Sequence, residues 1–436
     1  MLSDFMPQEP VVGAAYEFVT GPAGSGKTYT VKSRPGALLT ATTGAAAVNL
    51  GEGCRTIHSL LSFYSLDSLK TNVNNGRCAI AFNRTKRLYP GLREIVTDEI
   101  SMLSAEVVDL LHKVFEAHAQ GIKWTVVGDF AQLPPVPEVR GSVAKWAFEA
   151  ACWPSFSTTK LEKIWRQSDP DFLAGLNLAR SGHGQKAVEA FGSKLAYCNS
   201  IPDDDSCIIM AKNESVNAWN QQKLASLPGE AITLPNVTWG KPDSSWSSHP
   251  PFLTLKPGAK VMILVNSRQD GYVNGSLGFI EKFHGPAGKP SAIEVRLLSD
   301  KRVLVTQRTD YYRCEEDFHW RNYSREGKII SEGDAKQGFD PMTEEDFFYQ
   351  GSICRWPLRL AWATTVHKSQ GLTLDKVVIS LRDQDGRRET FFSSDNMAYV
   401  ALSRCKTLEG IQVIGTPSEL ASAIRVSQKV KDRGLL

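Results

Sequence analysis

The chain has 436 residues, 42% hydrophobic and 22% charged, with a formal net charge of +3. Such a length can bury sizeable cores without staples and suggests two to four compact units. No eighteen-residue apolar run suggests a membrane span, MLSDFMPQEP is not a secretory signal, and eight scattered cysteines without a C-x-x-C pair argue against zinc ribbons and disulfide frameworks. Free thiols in a reducing cytoplasm are the expectation.

In chain order, residues 16–20, 37–40, 94–97 and 124–127 read as buried strands, with helical patterns such as 105–119 between them. Residues 207–210, 358–364, 377–381 and 411–414 read the same way in the second half. Buried strands alternating with helices predict an α/β fold built on parallel sheets with right-handed crossovers. Two regions break the pattern. Residues 62–93 contain Val73-Asn74-Asn75-Gly76-Arg77, and an Asn-Gly between possible strands signals a β-hairpin. That stretch carries Lys70, Arg77, Arg84, Lys86, Arg87 and Arg93, with no acid from 69 to 93, so it can face a phosphate backbone. Residues 225–355 are rich in Pro, Gly, Ser and Trp, with β-like runs at 260–265 and 278–282. Within them, 310–346 hold eleven acids against five basic residues, which argues against contact with nucleic acid.

The first chemical signal follows the first strand. Gly21-Pro22-Ala23-Gly24-Ser25-Gly26-Lys27-Thr28 matches G-x-x-x-x-G-K-[ST] between a strand and a helix, the context that lets backbone N–H groups wrap phosphates. Lys27 can reach the β and γ phosphates, and Thr28 can ligate Mg²⁺. Asp98-Glu99 ends the strand at 94–97; there Asp98 can hold the metal and Glu99 can polarise a water. A third strand runs into Gly128-Asp129-Phe130-Ala131-Gln132-Leu133-Pro134-Pro135-Val136, where Gln132 can sense the γ-phosphate and the two prolines stiffen the exit.

With Thr42-Thr43-Gly44-Ala45-Ala46-Ala47, Thr56-Ile57-His58-Ser59-Leu60, Asp98-Glu99-Ile100-Ser101-Met102, Trp165-Arg166-Gln167, Val273-Asn274-Gly275-Ser276-Leu277-Gly278, Thr365-Val366-His367-Lys368-Ser369-Gln370-Gly371-Leu372-Thr373 and Tyr399-Val400-Ala401-Leu402-Ser403-Arg404, these stretches occur in one order over roughly residues 16–415. In that order the chain resembles the superfamily 1B DNA helicases of the Pif, Dda and RecD-like group. The resemblance implies two RecA-like parallel-sheet domains with small inserted domains. Domain 1A would span 1–160 with a 1B hairpin or pin at about 62–93; 2A would span 161–254 and 356–436; an SH3-like 2B insert with an acidic extension would span 255–355. It implies a nucleic-acid-stimulated ATPase that moves 5′ to 3′ and unwinds duplex DNA from a 5′ tail, with ATP and Mg²⁺ as cofactors. DNA replication, repair and recombination are the implied processes.

Site roles follow from the same resemblance. Arg166 and Arg404 would be arginine fingers from the second domain; a planar cation stabilises charge building on the γ-phosphate. Thr42, Thr43, Gly44, His58, Pro134 and Val136, with Thr365, His367, Lys368 and Ser369, would line the DNA track. Gln370 and Gly371 would couple track to nucleotide cleft, Gly371 as part of the ATP site. Phe82, in the basic segment, is placed to stack on a base at the fork. The implied partners are single-stranded and fork DNA, with single-strand-binding or replication proteins as further candidates, no membrane, and a monomeric chain in a bacterial or phage-infected cytoplasm. One departure concerns the glutamine motif that family members carry ahead of the phosphate loop to read adenine. The glutamine preceding Gly21 here, Gln8, lacks those surroundings, so base selectivity stays open.

Three other readings remain. The chain can be a translocase that displaces proteins without separating strands. A small-molecule P-loop kinase fits the phosphate loop but not the paired arginines or the track motifs. A silent binding module conflicts with the intact Lys27, Asp98 and Glu99.

Overall fold

A computed structural model describes residues 15–43, 46–47, 50–51, 54–137, 143–165, 169–200, 206–240, 250–265, 267, 270–272, 275–286, 288–313, 319–323, 329–334, 349–370, 372–382, 392 and 395–436. The chain divides into two compact units, one of residues 1–219 and 363–436 and one of Asn220–Trp362. Among the described residues no helix is long and apolar enough to cross a membrane, and the described cysteines are free thiols.

The first unit holds two parallel sheets. The first contains β1 (Tyr16–Thr20), β2 (Ala37–Ala41), β3 (Arg55–Thr56), β4 (Glu94–Asp98), β5 (Lys123–Gly128) and β6 (Ser157–Lys160), in the order β3-β2-β4-β5-β1-β6. Its central strands are buried on both faces, as parallel strands covered by helices must be. The helix α1 (Lys27–Lys32) follows β1, and α2 (Ile57–Leu60) follows β3. The longest helix of this layer, α5 (Ala105–His118), is defined after the pair α3 (Leu66–Asn74) and α4 (Arg77–Leu88). In α5, Ser104 caps the first turn, and Val107, Val108, Leu111, Val114 and Phe115 form one buried stripe. Phe115 stacks on Trp124 of β5 at 4.6 Å, and the Trp124 indole N–H donates to Thr97 at 3.0 Å. A buried indole must find such an acceptor.

After β6 come α6 (Pro170–Arg180), α7 (Gly184–Phe191), β7 (Ala196–Cys198), β8 (Cys207–Met210) and α8 (Asn213–Ser226). The β-rich unit, beginning within α8, contains β9 (Ile232–Pro235), β10 (Val237–Gly240), β11 (Phe252–Leu255), β12 (Lys260–Ile263), β13 (Leu277–His284), β14 (Ala292–Leu297), β15 (Arg302–Val305), β16 (Arg308–Arg313), β17 (His319–Tyr323), β18 (Ile329–Asp334), β19 (Tyr349–Arg355) and β20 (Leu358–Leu360). Its pairings are antiparallel, and its core gathers Leu253, Leu255, Val261, Ile280, Ile293, Val295, Val305 and Trp356. The first unit resumes with β21 (Ala363–Thr365), α9 (Val366–Ser369), β22 (Val377–Ser380), α10 (Met397–Leu402), β23 (Ile411–Ile414), α11 (Pro417–Ala423) and α12 (Gln428–Asp432). The second parallel sheet runs β21-β8-β22-β23-β7.

Three expectations are corrected. The β-rich insert spans Asn220–Trp362 rather than 255–355, because β9 pairs with β11 and β10 with β19 at its start and β20 with β12 at its end. The single strand expected at 358–364 is two strands: β20 belongs to the β-rich unit and β21 to the second parallel sheet. Most consequentially, 62–93 is no β-hairpin. It is the helical pair α3 and α4, joined at Asn75-Gly76 with Gly76 at φ +77°. Flanking residues decide what an Asn-Gly turn connects. Here Cys78, Ala81, Phe82 and Thr85 recur at helical spacing and are buried, so the turn joins helices.

Candidate nucleotide and strand-binding site

Sheet order builds the cleft. With β5 lying between β1 and β4, three loops meet in a row at the carboxyl edge: the phosphate loop after β1, the 128–132 loop after β5 and Asp98-Glu99 after β4. One cavity there is lined by Ala23, Gly24, Gly26, Lys27, Thr28, Asp98, Glu99, Gln132 and Arg404. The loop needs its glycines. A Cβ on Gly21 would lie 2.3 Å from the Leu161 carbonyl oxygen, and Gly26 enters α1 at φ +83°.

Within the cavity, Lys27 Nζ donates to the Gly21 and Pro22 carbonyls at 2.8 and 3.0 Å. Thr28 Oγ1 donates to Asp98 Oδ2 at 2.8 Å. That contact brings together the two residues expected as metal ligands, 70 positions apart in the chain. Burial pushes Lys27 toward its neutral form, against the pull of Asp129, Glu99 and Asp98. Burial also raises the Asp98 carboxyl. Glu99 is raised to about 7, by burial first and by the Asp98 charge second. A polyphosphate beside Lys27 and a divalent cation beside Asp98 would restore the charged forms, which is what a magnesium nucleotide supplies. The buried Ser25 hydroxyl and Gln370 carboxamide oxygen, without partners among the described residues, also fit a polar ligand. Glu99 itself sits at φ +60°, a conformation costly for a glutamate and common where backbone strain serves a site.

The second sheet reaches into this cleft. Gln370 Nε2 donates to Glu99 Oε2 at 2.9 Å and to Gln132 Oε1 at 3.3 Å. Arg404 is buried; its Nε donates to the Val400 carbonyl at 2.8 Å and its Nη2 to Ser403 Oγ at 2.7 Å, and its charge lowers Glu99. Arg166, the other expected finger, and Gly371 lie outside the described residues, as do Gly44 and Gln8.

A neighbouring cavity is lined by Thr43, Ala46, Glu99, Met102, His367, Lys368 and Gln370. It joins expected track residues of both sheets next to the nucleotide cleft. Other track candidates are spent inside the protein. Thr42 Oγ1 donates to the Glu99 carbonyl at 3.0 Å, Thr365 caps α9 through the Lys368 N–H, and the fully buried Ser369 donates to Val366. His58 packs tilted against Phe63 with ring centroids 4.5 Å apart, and burial lowers it to about 4, so its ring is neutral near pH 7. Pro134 is half-buried, and Val136 is 64% exposed.

Phe82 is a correction. It is fully buried and packs edge-on against Phe115 at 5.5 Å, in the core beneath the first sheet. An aromatic on the buried stripe of α4 cannot stack on a base at a fork. The sequence reading also passed over Asp129, Arg180, Asn396 and Tyr399 as site residues, although they form a buried network across the cleft. Asp129 lies in the quoted stretch after β5 and Tyr399 opens the last one. Arg180 and Asn396 carry no local signal.

The phosphate loop, the Asp98-Glu99 strand end and a second parallel sheet that supplies Gln370 and Arg404 define a P-loop protein of the paired RecA-like class. A family model described as an AAA domain matches residues 11–194, and one described as the viral superfamily 1 RNA helicase core domain matches 287–410. The chain is similar to the Pif1 helicases of superfamily 1. It is 31% identical over 454 residues to the ATP-dependent DNA helicase Pif1 of a Psychrobacter species, covering 91% of this chain and 65% of that relative. The fold matches Pif1 helicase from Candida albicans with a TM-score of 0.68 at 25% identity, covering 96% of this chain and 95% of that one. It also matches a structure described as DNA unwinding at forked dsDNA by two coordinating Pif1 helicases, with a TM-score of 0.59 at 26% identity and coverage of 96% and 94%. The chain thus spans 65% of the length of the Psychrobacter relative and 58% of that of the human ATP-dependent DNA helicase PIF1, to which it is also 31% identical.

Proposed function

We propose that this chain is an ATP-driven motor that moves 5′ to 3′ on single-stranded DNA and unwinds duplex DNA from a 5′ tail. The observation that carries the reading is the placement of Gln370. Its side chain bonds to Glu99 and Gln132 in the nucleotide cleft, while His367 and Lys368, three and two residues earlier, line the adjoining cavity with Thr43. A nucleotide-dependent shift at Gln370 would therefore move the strand-contacting residues on the short helix that it ends. The names of the relatives support DNA as the track, and the direction follows from the family.

In this reading Lys27 and the loop N–H groups hold the β and γ phosphates. Mg²⁺, held by Thr28 and Asp98, would neutralise charge between those phosphates. Glu99 orients and polarises the attacking water, Gln132 senses the γ-phosphate, and Arg404 stabilises charge on the transferred group. Arg166 is proposed as the second finger. Lys368 meets the strand's phosphates as a cation, and His58 meets the strand as a neutral ring.

A specific observation favours a second reading, a single-strand translocase that displaces proteins. The aromatic expected at the fork, Phe82, is a core residue, and the segment around it is helical. Matched 5′-tailed and 3′-tailed duplexes with ATP test both. The helicase reading expects unwinding of the 5′-tailed duplex and a Lys27→Ala variant that binds single strands but turns over ATP at least about a hundredfold more slowly. Single-strand-stimulated ATPase with neither duplex opened would select the translocase. An ATPase indifferent to any polynucleotide would sink both.

A further inference from the structure

Ala23 is part of the phosphate loop, yet its backbone N–H donates to the hydroxyl of Tyr399 at 2.9 Å, a residue of α10 on the second sheet. That hydroxyl donates in turn to Asp129 Oδ2 at 3.2 Å. Asp129 follows β5 and is fully buried. It accepts from Arg180 through Nε, at 3.2 Å to both oxygens, and through Nη2 at 2.9 Å. Arg180 ends α6 and is itself buried. Three residues before Tyr399, Asn396 donates to the carbonyls of Phe130 and Gln132 at 3.2 and 2.6 Å. The phosphate loop, the Gln132 loop and two helices of the second half of the unit are therefore joined by one buried row of hydrogen bonds.

A phenol has one proton to donate. Donating to Asp129 while accepting from Ala23 uses the Tyr399 hydroxyl in a single orientation. Buried networks of this kind are rigid when fully satisfied. The helix bearing Tyr399 leads directly to Arg404, whose Nε is bonded to the carbonyl of Val400. We propose that Tyr399 is a positioning residue: its hydroxyl ties Ala23 of the phosphate loop to the Asp129–Arg180 pair, and so sets where Arg404 meets the terminal phosphate. This rests on the ATP-hydrolysing reading of the cleft.

The test is Tyr399→Phe, which keeps the ring and removes the hydroxyl. Single-strand-stimulated ATPase is measured for this change in the parent chain and in an Arg404→Ala background, with thermal unfolding alongside. The expected result is a kcat lowered roughly tenfold with KM for ATP within about twofold. A residue acting through Arg404 has nothing to position once that arginine is gone, so the same change should cost less than about twofold in the Arg404→Ala background. An unchanged kcat, or an equal loss in both backgrounds, overturns the proposal. If Tyr399→Phe does not fold, Arg180→Lys, which keeps the charge and loses the fork, carries the test with the same two outcomes. A parent chain that hydrolyses no ATP would instead remove the reading of the cleft, which keeps the two failures distinct.

Discussion

Single residues in this chain are charged or neutral according to what the fold puts beside them. Glu17 on β1 shows the favourable case at the far end of the sheet from the nucleotide cleft. Its carboxylate accepts from Arg34, Lys123 and Thr159, each at 2.7 Å. Burial alone would raise it, but these hydrogen bonds outweigh burial and hold it at about 2. A carboxyl held below its ordinary value of 4.5 adds stability that is complete above about pH 4.5 and is lost as pH falls toward 2. Glu17→Gln is therefore expected to cost about 1.5–3 kcal/mol at pH 7, the range of hydrogen bonds to charged groups. Denaturant unfolding should show the gap between variant and parent narrowing from pH 4.5 downward. A gap that stays constant over that range would assign the loss to shape rather than charge. The Lys27, Asp98 and Glu99 cluster is the opposite case, in which burial pushes each group toward neutrality and a magnesium nucleotide would supply the missing stabilisation.

At the scale of elements, the α3–α4 pair shows one buried stripe overruling a turn signal. Ser65 and Ser68 form a reciprocal cap at the start of α3, and Leu69 and Asn72 are buried there. On α4 the buried residues are Cys78, Ala81, Phe82 and Thr85, while Arg87 faces solvent. Arg77, Arg84 and Lys86 on the same helix are partly exposed, so the basic residues of α4 lie off the stripe that joins the core of the first sheet. Phe82→Ala is expected to cost about 3–5 kcal/mol of stability, as truncation of a buried phenylalanine does. Chemical denaturation measures it. A variant of unchanged stability that loses only unwinding would return Phe82 to the fork and contradict its burial.

At the scale of the molecule, the end of the chain returns from the second sheet to the first. Val430 on α12 is fully buried in the first sheet's core, and Leu435 and Leu436 pack on the same cluster. Lys429 pairs with Glu149 at 2.7 Å, and Lys160 donates to the Leu436 carbonyl at 2.7 Å. The tail therefore links the two sheets independently of the cleft. A charge at position 430 would be met by release of the tail, because undocking costs less than burying an unpaired carboxylate. Val430→Asp is expected to lose about 1.5–3 kcal/mol, the worth of one buried side chain of this size, and to make the tail cleavable by protease. A tail as resistant as in the parent chain would count against this link.

Parts of the protein whose information is local could be read from the residues alone. The phosphate loop is a contiguous run of glycines, lysine and threonine after a buried strand, and the strands at 16–20, 207–210 and 411–414 have the bounds read from their apolar runs. Asp98 and Glu99 were legible for the same reason, because a strand end is a position along the chain. Tertiary structure alone decided what depended on residues far apart. Whether Asn75-Gly76 joined strands or helices depended on which side chains found a core. Whether Phe82 faced DNA or Phe115 depended on where α5 packed. The Arg180–Asp129–Tyr399–Ala23 row joins residues up to 376 positions apart, and none of them announces its partner. Local sequence encodes backbone conformation and the chemistry a loop can offer, whereas burial, pairing and the charge state of a group are properties of the space that distant segments enclose together.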